Sequence, residues 1–252
     1  MAKVLGESGR YVSQEAGKRE TRMFILTLVL CCVIAWISGF LFGFLFLKAS
    51  HWVSLLISGV ALLAISALGW WGNRQLEELS KQRKDMRKGA AGEISVGNRL
   101  ANFPDAFRVL NDLTTPFGNL DHVVVGPTGV FVLDTKNWRG VVSADGRGEL
   151  LFNGMPTDKP YVRHFTARVM DVKEKVKFLA AGPDPFFQAV FVFPSARVEA
   201  NWGTTKSVHC IRDEQLFDYI VESKKGKKLT KEEVDKIAQG FLALAHMDKD
   251  FG

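Results

Sequence analysis

Charged residues divide this chain before any motif is considered. Residues 24–47 carry none, and neither do residues 52–72. As helices rising about 1.5 Å per residue, both runs are long enough to cross a hydrocarbon layer of about 30 Å. Only Lys48, Ala49, Ser50 and His51 separate them. The pattern therefore predicts a transmembrane helical hairpin over 23–72, with spans at about 24–47 and 52–72. A cleaved signal peptide does not fit. The first run exceeds an apolar region of about 7–15 residues, no small-x-small site follows it, and a second span does.

The flanks read differently. Residues 1–22 are polar without clear periodicity and suggest a loosely ordered tail. Residues 73–88 form a basic stretch able to continue the second helix as a linker. From 89 to 252 the pattern becomes that of a compact α/β domain. A short helix covers "GAAGEISVGNRLAN", followed by strand-like runs "FRVLND", "DHVVVG", "VFVLDTK", "GVVSAD" and "ELLFN". Phe165, Val169, Val172, Val176 and Leu179 then recur at helical spacing. "QAVFVF" reads as a fully buried strand and "KSVHCI" as another. Two helices close the chain, one with Asp213 as its N-cap and one opened by a Thr230/Glu233 capping box. The last has an apolar stripe of Val234, Ile237, Ala238, Phe241 and Ala245. This order predicts a mixed sheet flanked by helices.

Charge adds orientation. Lys3, Arg10, Lys18, Arg19 and Arg22 precede the first span, and Arg74, Lys81, Arg83, Lys84, Arg87 and Lys88 follow the second. The intervening loop offers Lys48 alone, so both termini are expected in the cytoplasm of an inner-membrane, multi-pass protein. The net charge of +6 is largely explained by these flanks. "SKKGKKLTK", residues 223–231, reads as a solvated loop before it reads as a phosphate contact. Cys31 and Cys32 fall in the first span and Cys210 stands alone, which excludes a disulfide framework and a zinc-binding spacing.

The candidate chemistry sits on one hairpin, "LDHVVVGPTGVFVLDTKNW". A turn centred on Pro127 and Thr128 pairs Val125 with Val130 and, carried back, sets Asp121 opposite Asp134. Side chains alternate along strands, so Lys136 shares their face. Opposed like charges are unfavourable, and where they are partly buried one should protonate or a positive charge should sit between them. Lys136 supplies part of that compensation, and a hard divalent cation suits the remainder. Glu93 lies near the apolar stripe of the preceding slim, glycine-rich helix and offers a third carboxylate. His122 points to the opposite face and is read as a packed histidine.

"GAAGE" at 89–93, "FRVLND", and "NLDHVVVGPTGVFVLDTKNWRG" at 119–140 resemble the nuclease-related domain, NERD, a relative of the PD-(D/E)XK restriction-endonuclease-like fold. The resemblance implies a PD-(D/E)XK nuclease-like mixed sheet preceded by the transmembrane hairpin. Glu93 matches the family's helix Glu, Asp121 its first metal-binding Asp, Asp134 its second acidic position and Lys136 its motif Lys. It implies that Glu93, Asp121 and Asp134 bind Mg2+ or Mn2+ and that Lys136 completes the catalytic set. It also implies hydrolysis of nucleic acid, DNA favoured over RNA. Two departures stand out. The second acidic residue is Asp where the family more often has Glu, and Arg163 and His164 fall where it usually carries Gln. The alternative is a catalytically degenerate module that binds nucleic acid or a protein partner at the membrane.

Overall fold

The computed structural model describes residues 1–45, 51–181, 184–199, 208–224, 226 and 228–247. The expected hairpin tip at 48–50 lies outside these, as do Lys225 and Lys227 of the lysine-rich loop. The chain forms two compact units, one of residues 12–87 and one of residues 1–11 with 88–252.

The first unit contains most of α1 (Arg10–Leu45) and the first part of α2 (His51–Ala101). Both helices are long and apolar enough to cross a membrane. Their large side chains, among them Phe24, Leu28, Trp36, Leu56, Leu63 and Trp70, are exposed. The missing side chain of Gly72 makes room for Leu30, whose Cδ1 lies 2.5 Å from where a Cβ would sit. Beyond the apolar runs, Arg83 donates to Glu20 at 2.9 Å and Arg19 pairs with Gln82. The expected linker and the short helix after it are one with the second apolar helix: α2 runs to Ala101 without interruption.

The second unit is built on a six-stranded sheet. Its strands are β1 (Lys3–Leu5), β2 (Arg108–Thr115), β3 (Gly118–Gly126), β4 (Gly129–Thr135), β8 (Phe187–Phe193) and β10 (Val208–Arg212), in that order across the sheet. The β2–β3–β4 meander is antiparallel, whereas β1–β2, β4–β8 and β8–β10 are parallel. The β3–β4 register is the one the turn predicts, with Val125 opposite Val130 and Gly126 opposite Gly129. Gly129 holds φ at 128°, a conformation L side chains rarely adopt.

Valines dominate these strands because both faces are covered. On one face Val123, Val125, Val130 and Val132 pack with α3 (Tyr161–Ala180) and α5 (Lys231–Met247). On the other, Val124, Phe131 and Leu133 meet Val96 and Leu100 of α2, with Leu216 and Ile220 of α4 (Leu216–Val221). Each such aliphatic side chain removed from water contributes roughly 1.5–3 kcal/mol. The Thr230/Glu233 capping box forms, and Leu244 rather than Ala245 completes the fully buried stripe of α5.

A smaller sheet contains β5 (Val141–Ala144), β6 (Leu150–Phe152), β7 (Met155–Pro156) and β9 (Arg197–Val198). Glu149, just before β6, accepts the Val162 and Arg163 amides at 3.0 and 2.9 Å and so caps α3.

Two sequence expectations change. Lys3–Leu5 is not part of a loose tail but the edge strand of the main sheet, because its backbone pairs with β2 and Ala2 is buried beneath α2's layer. Asp213 does not cap a helix with its side chain. It lies buried in a 3-10 turn, where Arg99 donates to its Oδ2 at 2.7 Å, and Gln215 accepts the Arg212 amide instead.

The α3 layer depends on Phe165, which meets Phe191 at a ring separation of 4.8 Å. Phe165→Ala is expected to cost about 3–5 kcal/mol, read as a lowered denaturation midpoint of the purified protein with the circular-dichroism spectrum otherwise retained.

Candidate active site

The β3–β4 ladder stops at His122 and Leu133. The next register position is Asp121 against Asp134, where the strands part. β4 stays in the sheet through its parallel neighbour: Asp134 lies opposite Phe191, Thr135 opposite Val192, and the Lys136 amide donates to Val192 O at 2.9 Å. The Thr135 amide turns toward β3 and donates to Asp121 Oδ2 at 2.7 Å. A carboxylate thus takes the place of a backbone carbonyl at the end of the ladder.

The opening is two-sided. Between β2 and β3, pairs form at Asn111 with His122 and at Leu113 with Leu120, and the pair between them, Asp112 with Asp121, is skipped. Asp112 holds φ at 54°, uncommon for a residue with a Cβ, and its Oδ1 accepts from Asn119 at 2.9 Å. Asp112 is an acidic neighbour that strand periodicity did not single out. The signal was present as the Asn-Asp pair closing "FRVLND", whose partner across the sheet is known only once β2 is placed.

Asp121, Asp134 and Lys136 lie on the α3 side of the sheet, whereas Glu93 arrives on α2 from the other layer. Asn137 joins the two. Its amide donates to Lys88 O at 2.6 Å, its carbonyl accepts from Ser195 at 2.6 Å, and Gly92 leaves the space its side chain occupies. Trp138 anchors the same loop against Phe152, Tyr161 and Phe193, with ring separations of 5.2, 5.3 and 5.6 Å.

The predicted residues influence one another strongly. Burial, followed by the charges of Asp112 and Asp134, pushes Glu93 up to about 7, against a partial counter-effect of Lys136. Asp121 is raised well above the usual carboxylate range by burial, then by Asp134 and Glu93, with Lys136 and the Thr135 amide acting the other way. Lys136 is depressed by burial, but Asp134 and Asp121 outweigh that effect and hold its proton more firmly than usual. It forms an ion pair with Asp134. The Lys136 ammonium also lies 5.4 Å from the Tyr161 ring centroid and 5.9 Å from that of Phe191.

Glu93 Oε2 is buried without a hydrogen-bond partner. Even so, no group of three His, Cys, Asp or Glu side chains among the described residues is gathered closely enough to hold a metal ion. Arg163 and His164, at the position of the expected Gln, are exposed on α3, and Tyr161 is the residue of that helix turned to Lys136. His122 is fully buried on the opposite face, with Nδ1 2.8 Å from Asn111 Oδ1. Burial alone lowers its pKa to about 3, so it is a neutral packing residue.

With this geometry in place, comparison with known proteins is decisive for one segment. Residues 88–194 match the nuclease-related domain family, NERD. This segment is similar to the nuclease-related domain. The match includes Glu93, Asp121, Asp134 and Lys136, and with them the hairpin, all of α3 and β8. An uncharacterized protein of Bacillus anthracis is 27% identical over 182 residues, covering 69% of this chain and 85% of the relative. No solved structure matches.

The raised pKa of Glu93 has a consequence for stability. The folded domain binds that proton more tightly than the unfolded chain, so stability is lost as pH rises from about 4.5 to about 7. Glu93→Gln is expected to exceed the parent protein in stability by about 2–3 kcal/mol at pH 8 with chelator present, with the gain vanishing at pH 4. Thermal melts followed by tryptophan fluorescence across that range test this.

Proposed function

We propose that the protein is a membrane-anchored, divalent-metal-dependent nuclease that hydrolyses phosphodiester bonds, in DNA before RNA. The observation carrying this reading is the under-compensated charge at the parted strands. Glu93, Asp121 and Asp134 face one another's charge with Lys136 as the cation opposing them.

The chemistry of the donors, though not their present spacing, suits a hard divalent cation. Every donor is a carboxylate oxygen, one of them is buried without a partner, and two of the groups are held above their ordinary pKa by burial and then by neighbouring carboxylates. Glu93, Asp121 and Asp134 would hold Mg2+ or Mn2+. When bound, the ion would polarise a phosphoryl oxygen and lower the pKa of a coordinated water. Lys136, paired with Asp134 and kept protonated by its surroundings, would donate to the charge developing on the phosphate. Thr135 N–H fixes the Asp121 carboxylate, and Tyr161 and Phe191 limit where the lysine can move.

Two helices that expose many large apolar side chains among the described residues would serve as the anchor. The basic flanks favour both termini in the cytoplasm. The tether would restrict cleavage to nucleic acid close to the membrane.

A second reading, a degenerate fold that binds nucleic acid or a protein without cutting, is favoured by the ungathered carboxylates and the exposed Arg163 and His164. The full-length protein in detergent separates the two. Cleavage of DNA with Mg2+ is expected, abolished by EDTA and lowered at least about 100-fold by Lys136→Ala. Undiminished cleavage in Lys136→Ala would sink the assigned role. Salt-sensitive DNA binding without cleavage, indifferent to chelation, would establish the second reading.

A further inference from the structure

The NERD family match begins at residue 88, yet the sheet it belongs to begins at residue 3. Lys3, Val4 and Leu5 lie opposite Arg108, Val109 and Leu110 in parallel register. Ala2 enters the α2-side core and Leu5 packs against the α3-side core, so the segment contributes to both layers. Its fit is steric as well as hydrogen-bonded. Gly6 has φ 83°, and a Cβ there would overlap the carbonyl oxygen of Asn111. Gly97 on α2 is the reciprocal case, since a Cβ on it would overlap Ser8 Oγ. Gly9 sits 3.3 Å, measured from an ideal Cβ, from Ala90 O. Each side therefore carries a glycine matched to the other, at positions 91 residues apart in sequence.

We infer that the β2 edge and the Gly97 notch of α2 form a docking surface whose occupant is residues 2–9 of the same chain. The apolar hairpin is then an insertion within the domain. Its two ends must emerge on the same face of the membrane whatever the charge of its flanks, and the sheet is completed only after the chain returns through α2. The hairpin acts as the tether that keeps this short strand at high effective concentration beside its site. Docked, it covers part of an eight-residue edge that would otherwise be open to another chain. The same-face conclusion rests on the membrane-spanning reading above and is independent of catalysis.

The test uses the full chain in native membranes with Cys31→Ser, Cys32→Ser and Cys210→Ala. Val4→Cys with Val109→Cys should form an intramolecular disulfide on mild oxidation, while Val4→Cys with Thr114→Cys should not. Absence of the first cross-link, or its appearance only between two chains, would overturn docking in cis. In the otherwise unaltered protein, Gly97→Val should make cleavage after Lys3 by a lysine-specific protease roughly tenfold faster. Gly89→Val, on the same helix but with open space at its Cβ, should leave it unchanged. Equal sensitivity of the two variants would also overturn the docking. Single cysteines introduced as Glu7→Cys and Lys175→Cys should respond alike to a membrane-impermeant thiol reagent in intact cells and in inverted vesicles. Opposite responses would refute same-face placement, and release of the protein from membranes by carbonate would remove the membrane reading on which it rests.

Discussion

The hydrogen bond from the Thr135 amide to the Asp121 carboxylate marks where the sheet stops being only a scaffold. A buried amide at the end of a ladder must find an acceptor, and here the acceptor carries a charge. That single substitution lets β3 and β4 part while the Thr135 amide keeps a partner. It also fixes Asp121 beside Asp134, in a place where burial disfavours both charges. The high proton affinity of Asp121 is the direct consequence. Lys136 opposes this arrangement through its pair with Asp134, yet one ammonium cannot balance the carboxylates around it.

The surrounding architecture holds that arrangement from three directions. Asn137 fastens the strand end to the carbonyl of Lys88 and to Ser195, and Gly92 permits the close approach. This draws α2 inward and carries Glu93 from the opposite layer toward the break. The aromatic rings of Trp138, Tyr161, Phe191 and Phe193 wall the α3 side. Glu149 fixes the start of that helix from the small sheet. Asp112, forced into a left-handed conformation, completes the opening on the β2 side. Each of these contacts is modest alone. Their common effect is to hold the charged groups at the break largely out of solvent.

Much of this was legible along the chain because it depends on short-range rules. A two-residue turn between alternating strands fixes the register of β3 on β4, so the shared face of Asp121, Asp134 and Lys136 followed from counting. The α5 capping box is equally local, and so are the uncharged runs of α1 and α2. Asp213 shows where such reasoning fails. Its position before an apolar stretch fits an N-cap, but a longer-range partner, Arg99, claims its carboxylate with a charge-assisted bond stronger than an ordinary cap. Asp112 is silent along the chain for a related reason, since nothing near it in sequence reveals that Asp121 lies across the sheet.

By itself, then, the sequence determined two apolar helices, a mixed α/β domain after them, and a hairpin whose turn sets two carboxylates and a lysine on one face. These are consequences of composition, period and turn geometry acting over a few residues. The tertiary structure alone decided that the ladder breaks at Asp121, that Glu93 approaches from the other layer, and that Asp112 joins them. It alone revealed that three residues at the very start of the chain belong to a sheet resumed more than a hundred residues later. Those outcomes depend on packing and pairing between distant segments, where complementary shapes such as Gly97 against Ser8 carry the information and no local pattern does.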